Sequence, residues 1–169
     1  HNHWYHQAYE GYNNALKRAR DVDDMDLLAK ALLGVGNSQI CLGSPKHALS
    51  AHEELLTLAK KNCKTSQQAG AFCGIGVSYH QLGEYRKAIE FHKKHLSISM
   101  ELDDKPGQGR AYCGLGNAYQ SIGEYKTAIE FHEKDLSIAM ELDDKTGQGR
   151  AYGNLGCTYE RVGGYRKAI

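Results

Sequence analysis

The chain repeats itself at a fixed spacing of 40 residues. Residues 67–106 and 107–146 align without a gap and are identical at 24 of 40 positions. Gly83-Glu84-Tyr85 returns as Gly123-Glu124-Tyr125, Ala88-Ile89-Glu90-Phe91-His92 as Ala128 through His132, and Met100 through Lys105 as Met140 through Lys145. A period of that size constrains the fold more than any local motif. Each copy is one small unit that cannot bury its apolar face alone, and the core forms only when neighbours stack.

Within one period the apolar residues have helical spacing twice. Gly107–Ile122 carries Ala111, Leu115, Ala118, Tyr119 and Ile122 on one stripe. Tyr125–Leu142 carries Ala128, Ile129, Leu136, Ala139 and Met140. Gly123 separates them at a position suited to a left-handed helix end, and Asp143-Asp144 supplies a carboxylate to cap the next helix. Pro106 fits an opening helical turn, where a missing N–H costs little. The same frame predicts first helices of the pair (helix A) at about 25–42, 66–82, 106–122 and 146–162, and second helices (helix B) at about 45–61, 85–102 and 125–142. Trp4–Arg20 aligns with a helix B, and Tyr165–Ile169 with the start of another.

The predicted fold class is therefore all-α, an α-solenoid of stacked antiparallel helix pairs. It is organised as one array: a helix B at 4–21, repeats at 25–64, 65–104 and 105–144, and a truncated repeat at 145–169. Because it starts and stops in mid-unit, the chain is expected to be a fragment of a longer array. Gly36, Gly76, Gly116 and Gly156 fall inside helices, where each costs about 1 kcal/mol against alanine. Their recurrence predicts a close approach between helices, with Ala48, Ala88, Ala128 and Ala168 as the small surface on helix B. His52, His92 and His132 recur too, and packing or a surface hydrogen bond is their expected role. Metal binding by the three is excluded, since equivalent residues of stacked helices stand roughly 10 Å apart.

Tyr112-x-x-Leu115-Gly116-x-x-Tyr119 followed by Ala128, and its copies Tyr152 through Ala168 and Phe72 through Ala88, resemble the tetratricopeptide repeat. The unit departs from that family in its length of 40 residues and in His132, which stands where an aromatic residue usually follows the alanine. The longer unit is similar to the Pins/LGN (G-protein-signalling modulator) and rapsyn branch, and to arrays attached to caspase-like CHAT domains. The resemblance implies a right-handed superhelix whose A helices line a concave groove for an extended peptide or a partner helix. Carried onto this chain, the groove residues are Lys30, Asn37, Arg110, Asn117, Gln120, Arg150, Asn154 and Arg161. Asn117, Arg150 and Asn154 are similar to half of the carboxylate clamp of some members. The positions of the other half hold Cys73 and Val77.

The remaining features exclude other classes. A net charge of +1 requires neither nucleic acid nor an anionic membrane as partner. The apolar runs are too short to span a bilayer. Five cysteines without a CxxC motif are read as free thiols in a reducing, cytoplasmic setting. Gly114-Leu115-Gly116 is not a nucleotide loop, because Tyr119 replaces the third glycine and no strand precedes it. No catalytic set converges, and no cofactor or metal is expected. The function expected is a non-enzymatic protein-interaction scaffold that takes a peptide or helix of a partner, with Arg110 and Arg150 favouring an acidic one. It would be part of a larger signalling or adaptor protein. A self-association module regulating a fused effector, and an RNA-binding helical repeat, are the alternatives.

Overall fold

The computed structural model describes residues 2–167, with side chains over 3–163. Eight helices occupy them: α1 (Asn2–Asp21), α2 (Met25–Cys41), α3 (Pro45–Lys61), α4 (Thr65–Gln81), α5 (Tyr85–Glu101), α6 (Lys105–Ser121), α7 (Tyr125–Glu141) and α8 (Lys145–Lys167). The described residues contain no strand. The fold class is the predicted all-α one. The helices fall into two compact units, α1–α4 and α5–α8, with the division after Glu84.

Two kinds of turn alternate, each with its own chemistry. Turns from helix A to helix B place glycine in the left-handed region, with φ of 71° at Gly43, 78° at Gly83 and 84° at Gly123. The Gly83 and Glu84 amides then donate back to His80 and Tyr79, which satisfies carbonyls that the helix end leaves open. Turns from B to A use non-glycine residues in the same conformation: Asp23, Cys63, Asp103 and Asp143, with φ of 50–53°. Aspartate tolerates that region better than most residues do. The Asp-Asp pair thus divides its work. Asp103 makes the turn, and Asp104 caps α6 by accepting the Gly107 amide at 2.9 Å. Asp24 caps α2 in the same way, accepting from Leu27 at 3.0 Å.

In the first unit Leu16, Ala29, Leu32, Val35, Leu55 and Ala71 form one buried cluster from all four helices. Full burial of a leucine such as Leu32 contributes about 1.5–3 kcal/mol. In the second unit Ala111, Leu115, Ala118, Ala128 and Ala151 are fully buried. Phe131 of α7 stacks between Tyr112 and Tyr119 of α6, with ring centroids 6.2 and 5.4 Å away.

Gly36 and Gly116 meet the expected steric need, whereas Gly156 has nothing within 4 Å of it. What occupies the space beside the first two is an imidazole. The His52 ring of α3 lies where a Cβ would stand on Gly36 of α2 and also on Gly74 of α4. His132 of α7 does the same at Gly116, and the His92 ring lies 2.6 Å from a Cβ built on Gly114. These histidines are not at the surface, since His52, His92 and His132 are 0–2% exposed. At Gly36, Gly74, Gly114 and Gly116 the missing side chain makes room for a planar ring of helix B.

At its end the chain departs from the expected pattern. A glycine turn at Gly163 and a new helix from Tyr165 were expected, but α8 continues to Lys167. The turns at Gly43, Gly83 and Gly123 are each followed by a complete helix B that packs back, and no such helix follows α8 among the described residues. Ala168 and Ile169, and with them the expected small surface at Ala168, lie outside the described residues.

Candidate functional site

The site is built in the second unit, where α6, α7 and α8 form an A–B–A triplet. One position of helix B decides its character. That position is Leu55 in α3, His95 in α5 and Asp135 in α7, and each of them is about 1% exposed. Leucine there adds to the core. Aspartate puts a carboxylate inside it, and a buried charge must be compensated.

The compensation comes from α8. Arg150 Nη2 donates to both oxygens of Asp135, at 3.0 and 3.3 Å. The Cys113 thiol of α6 also favours the ionised form of this carboxylate. Burial raises the Asp135 pKa, and the facing Arg150 works in the opposite direction without cancelling it. Burial also opposes the charge on Arg150, but Cys113 and Asp135 outweigh it and the pKa of the guanidinium rises. The pair is therefore a carboxylate inside the helix stack held by an arginine that is 44% exposed. Breaking such a pair by removing one partner costs up to about 3–5 kcal/mol in a fully buried setting.

Cys113 links the pair to two asparagines. Asn117 Nδ2 lies 3.7 Å from its sulfur and Asn154 Nδ2 lies 3.8 Å from it, the second contact joining α8 to α6. Burial, then Asp135, raises the thiol pKa, so Cys113 is a neutral connector. Beside this network lies a cavity of about 360 Å³ lined by Pro106, Gly109, Arg110, Asp135, Ile138, Ala139, Leu142, Asp144 and Arg150. Gly109 permits that space, because a Cβ there would stand 3.2 Å from Ile138 Cγ2 and 3.4 Å from Asp135 Oδ1. Arg110 faces the cavity from α6. It is 3.6 Å from Asp104, and it also acts on buried His95, whose pKa falls to about 4 mainly through burial and then through Arg110.

Of the residues expected in a groove, Arg110, Asn117, Arg150 and Asn154 come together, Arg110 and Arg150 around the cavity and the two asparagines through Cys113. Gln120 is half-buried on α6, and Arg161 is exposed on α8. Lys30 and Asn37 are exposed on α2 in the first unit. Sequence reasoning did not find Asp135. The signal was present, since Phe91-His92-Lys93-Lys94-His95-Leu96 and Phe131-His132-Glu133-Lys134-Asp135-Leu136 differ at only two places, and one of them is the buried one. The apolar floor of Ile138 and Leu142 was also missed, because it belongs to helix B, whereas the resemblance pointed to helix A.

A family model described as tetratricopeptide repeat matches residues 67–141. A search of curated protein sequences gives no significant match. Among solved structures, BtubC (BKLC) from P. vanneervenii is similar over 98% of this chain and 69% of its own, with a TM-score of 0.81 at 23% identity. The apo form of RapI is similar over 95% of this chain and 45% of its own, with a TM-score of 0.77 at 17% identity. The tetratricopeptide domain of Arabidopsis FLU covers 68% of this chain and 94% of its own, with a TM-score of 0.61 at 24% identity. Residues 67–141 match the tetratricopeptide-repeat model, and these likenesses show that the chain has the tetratricopeptide-repeat fold.

Proposed function

We infer that the chain is a non-enzymatic protein-interaction scaffold whose second unit takes an acidic segment of a partner protein. One observation carries this reading: two arginines from successive A helices, Arg110 and Arg150, line the same cavity. Guanidinium groups bind carboxylates through directed, charge-assisted hydrogen bonds, and selectivity follows from that complementarity. Tetratricopeptide repeats commonly serve as interaction scaffolds, and the absence of any described helix long and apolar enough to cross a membrane is consistent with that role. A place in a cytoplasmic signalling adaptor of the Pins/LGN and rapsyn kind accords with the five free thiols and the 40-residue unit.

The test is a fluorescence titration with two labelled peptides, one of repeated Leu-Glu-Ser triplets and the other of Leu-Gln-Ser. The glutamate peptide is expected to bind about tenfold more tightly, and the difference should shrink with added salt. Equal affinity, or binding of neither, overturns the reading.

A further inference from the structure

We propose that Asp135 is a positioning residue for partner binding. It holds the Arg150 guanidinium at the cavity, so that Arg150 and Arg110 take an acidic side chain while the adjacent aliphatic side chain of the same segment lies on Pro106, Ile138 and Leu142. This rests on the acidic-segment reading above and adds the form of the ligand and the residue that prepares its site.

The geometry of the pair carries the argument. Asp135 is 1% exposed, whereas Arg150 is 44% exposed, so one end of the ion pair is fixed inside the helix stack and the other reaches the groove. Only Nη2 is used on the carboxylate. The Nη1 and Nε hydrogens of Arg150 meet no acceptor among the described residues, and they are free to point at a ligand. Arg150 cannot swing away to follow a ligand, because Asp135 would be left buried without its counter-charge. A free arginine must give up side-chain rotamers when it binds, and this one has given up most of them before the partner arrives. Arg110 lies 3.6 Å from Asp104, beyond hydrogen-bonding distance, so its donors also remain available.

The shape of the cavity names the second element of the ligand. Its volume of about 360 Å³ exceeds what one carboxylate fills, and much of its wall is carbon: Pro106 from α6, Ile138 and Ala139 from α7, and Leu142 just after α7. Leu142 is 43% exposed, an apolar surface in a cavity lined also by two guanidinium groups and by the Asp135 and Asp144 carboxylates. An acidic residue beside a leucine or isoleucine satisfies both parts. The opposite role for Asp135 is that of an internal competitor that occupies Arg150 and must be displaced. The two roles predict opposite signs.

The experiment measures the affinity ratio of the Leu-Glu-Ser peptide over the Leu-Gln-Ser peptide for four chains: wild type, Asp135→Leu, Arg150→Ala and the double variant. Leucine is the natural occupant of this position at Leu55, so Asp135→Leu keeps a residue that the fold already accepts. Asp135→Asn serves as an isosteric second variant. The expected result is a ratio that falls about fivefold in Asp135→Leu and in Arg150→Ala, with no further fall in the double variant. A Ser-Glu-Ser peptide is expected to bind several-fold more weakly than Leu-Glu-Ser. A ratio that rises in Asp135→Leu identifies a competitor and overturns the proposal. A ratio that stays at its wild-type value in both Asp135 variants overturns it as well, while leaving the acidic preference intact. A wild-type ratio of one removes the acidic-segment reading, and this proposal with it.

Discussion

The triplets α2–α3–α4 and α6–α7–α8 share their helix order, a left-handed residue at each turn and a buried histidine on a glycine of the preceding helix, and they differ at the inner position of the central helix. In the first triplet that position is Leu55, and the residue 15 places later is Gly70. In the second it is Asp135, and the residue 15 places later is Arg150. The apolar pair adds to a core. The ionic pair brings an arginine to a cavity at a fixed angle. A repeat can therefore acquire a cavity-facing charge by changing two residues, one inside and one at the edge, while its backbone stays the same. The intermediate helix α5 shows a third version, in which neutral, buried His95 faces Arg110 and Asp104.

What the triplets share should produce the largest effect. Burial alone pulls the imidazoles of His52 and His132 from 6.5 down to about 4, and neither ring nitrogen of either residue has a hydrogen-bond partner among the described residues. Between pH 6.5 and 4 the unfolded chain binds protons that the folded one excludes. Their contribution is fully present above pH 6.5 and is lost as pH falls through that window. Between pH 7 and pH 4.5 these two rings are expected to account for a loss of roughly 5 kcal/mol in urea unfolding, and buried His95 acts in the same direction. A His52→Gln/His132→Gln variant should have a flatter profile. An unchanged profile in that variant would mean that the rings exchange protons with solvent as exposed ones do.

What the triplets do not share comes next. Arg150→Ala strands a buried carboxylate and is expected to cost about 2–3 kcal/mol in urea unfolding, less than for a fully buried pair because Arg150 is partly exposed. Adding Asp135→Leu should restore most of that loss, since the double variant comes close to the Leu55 and Gly70 arrangement. Failure of the rescue would show that the two triplets are not interchangeable at this position.

The smallest effects separate two glycines of the second unit that look alike in sequence. A Cβ at Gly116 would overlap the His132 ring, whereas Gly156 has nothing within 4 Å. Gly116→Ala is expected to destabilise by about 2 kcal/mol, and Gly156→Ala to stabilise by up to about 1 kcal/mol. Thermal unfolding of the two single variants reads the sign directly.

The fold was legible because its evidence is repeated. Helix A, expected at 66–82 and 106–122, is found at Thr65–Gln81 and Lys105–Ser121. The glycine and aspartate turns recur in each copy and could be read by comparison. The end of α8 was not legible, since the signal at Gly163 matches that at Gly123 while a following helix B is lacking among the described residues. The glycine notches could be seen as a steric need, but not what fills them, because the ring comes from another helix some 16 residues later. Within the site, the arginines and asparagines lay on a stripe that periodicity exposes. Asp135 lay on the buried face of the neighbouring helix, where an aspartate in an otherwise apolar register gives no periodic signal and stands out only against its copies.

The seating of His52 on both Gly36 and Gly74 means that the unit of inheritance is not the 40-residue segment that the eye picks out. The His52 ring is a key cut for two locks, one before it in the chain and one after. Any duplication, deletion or grafting event that imports a histidine seated as His52 is has to deliver both of its glycines, or the seam will not close. Recombinants that break inside α3 while importing a bulkier residue at either glycine are the ones in which such a seam should open first.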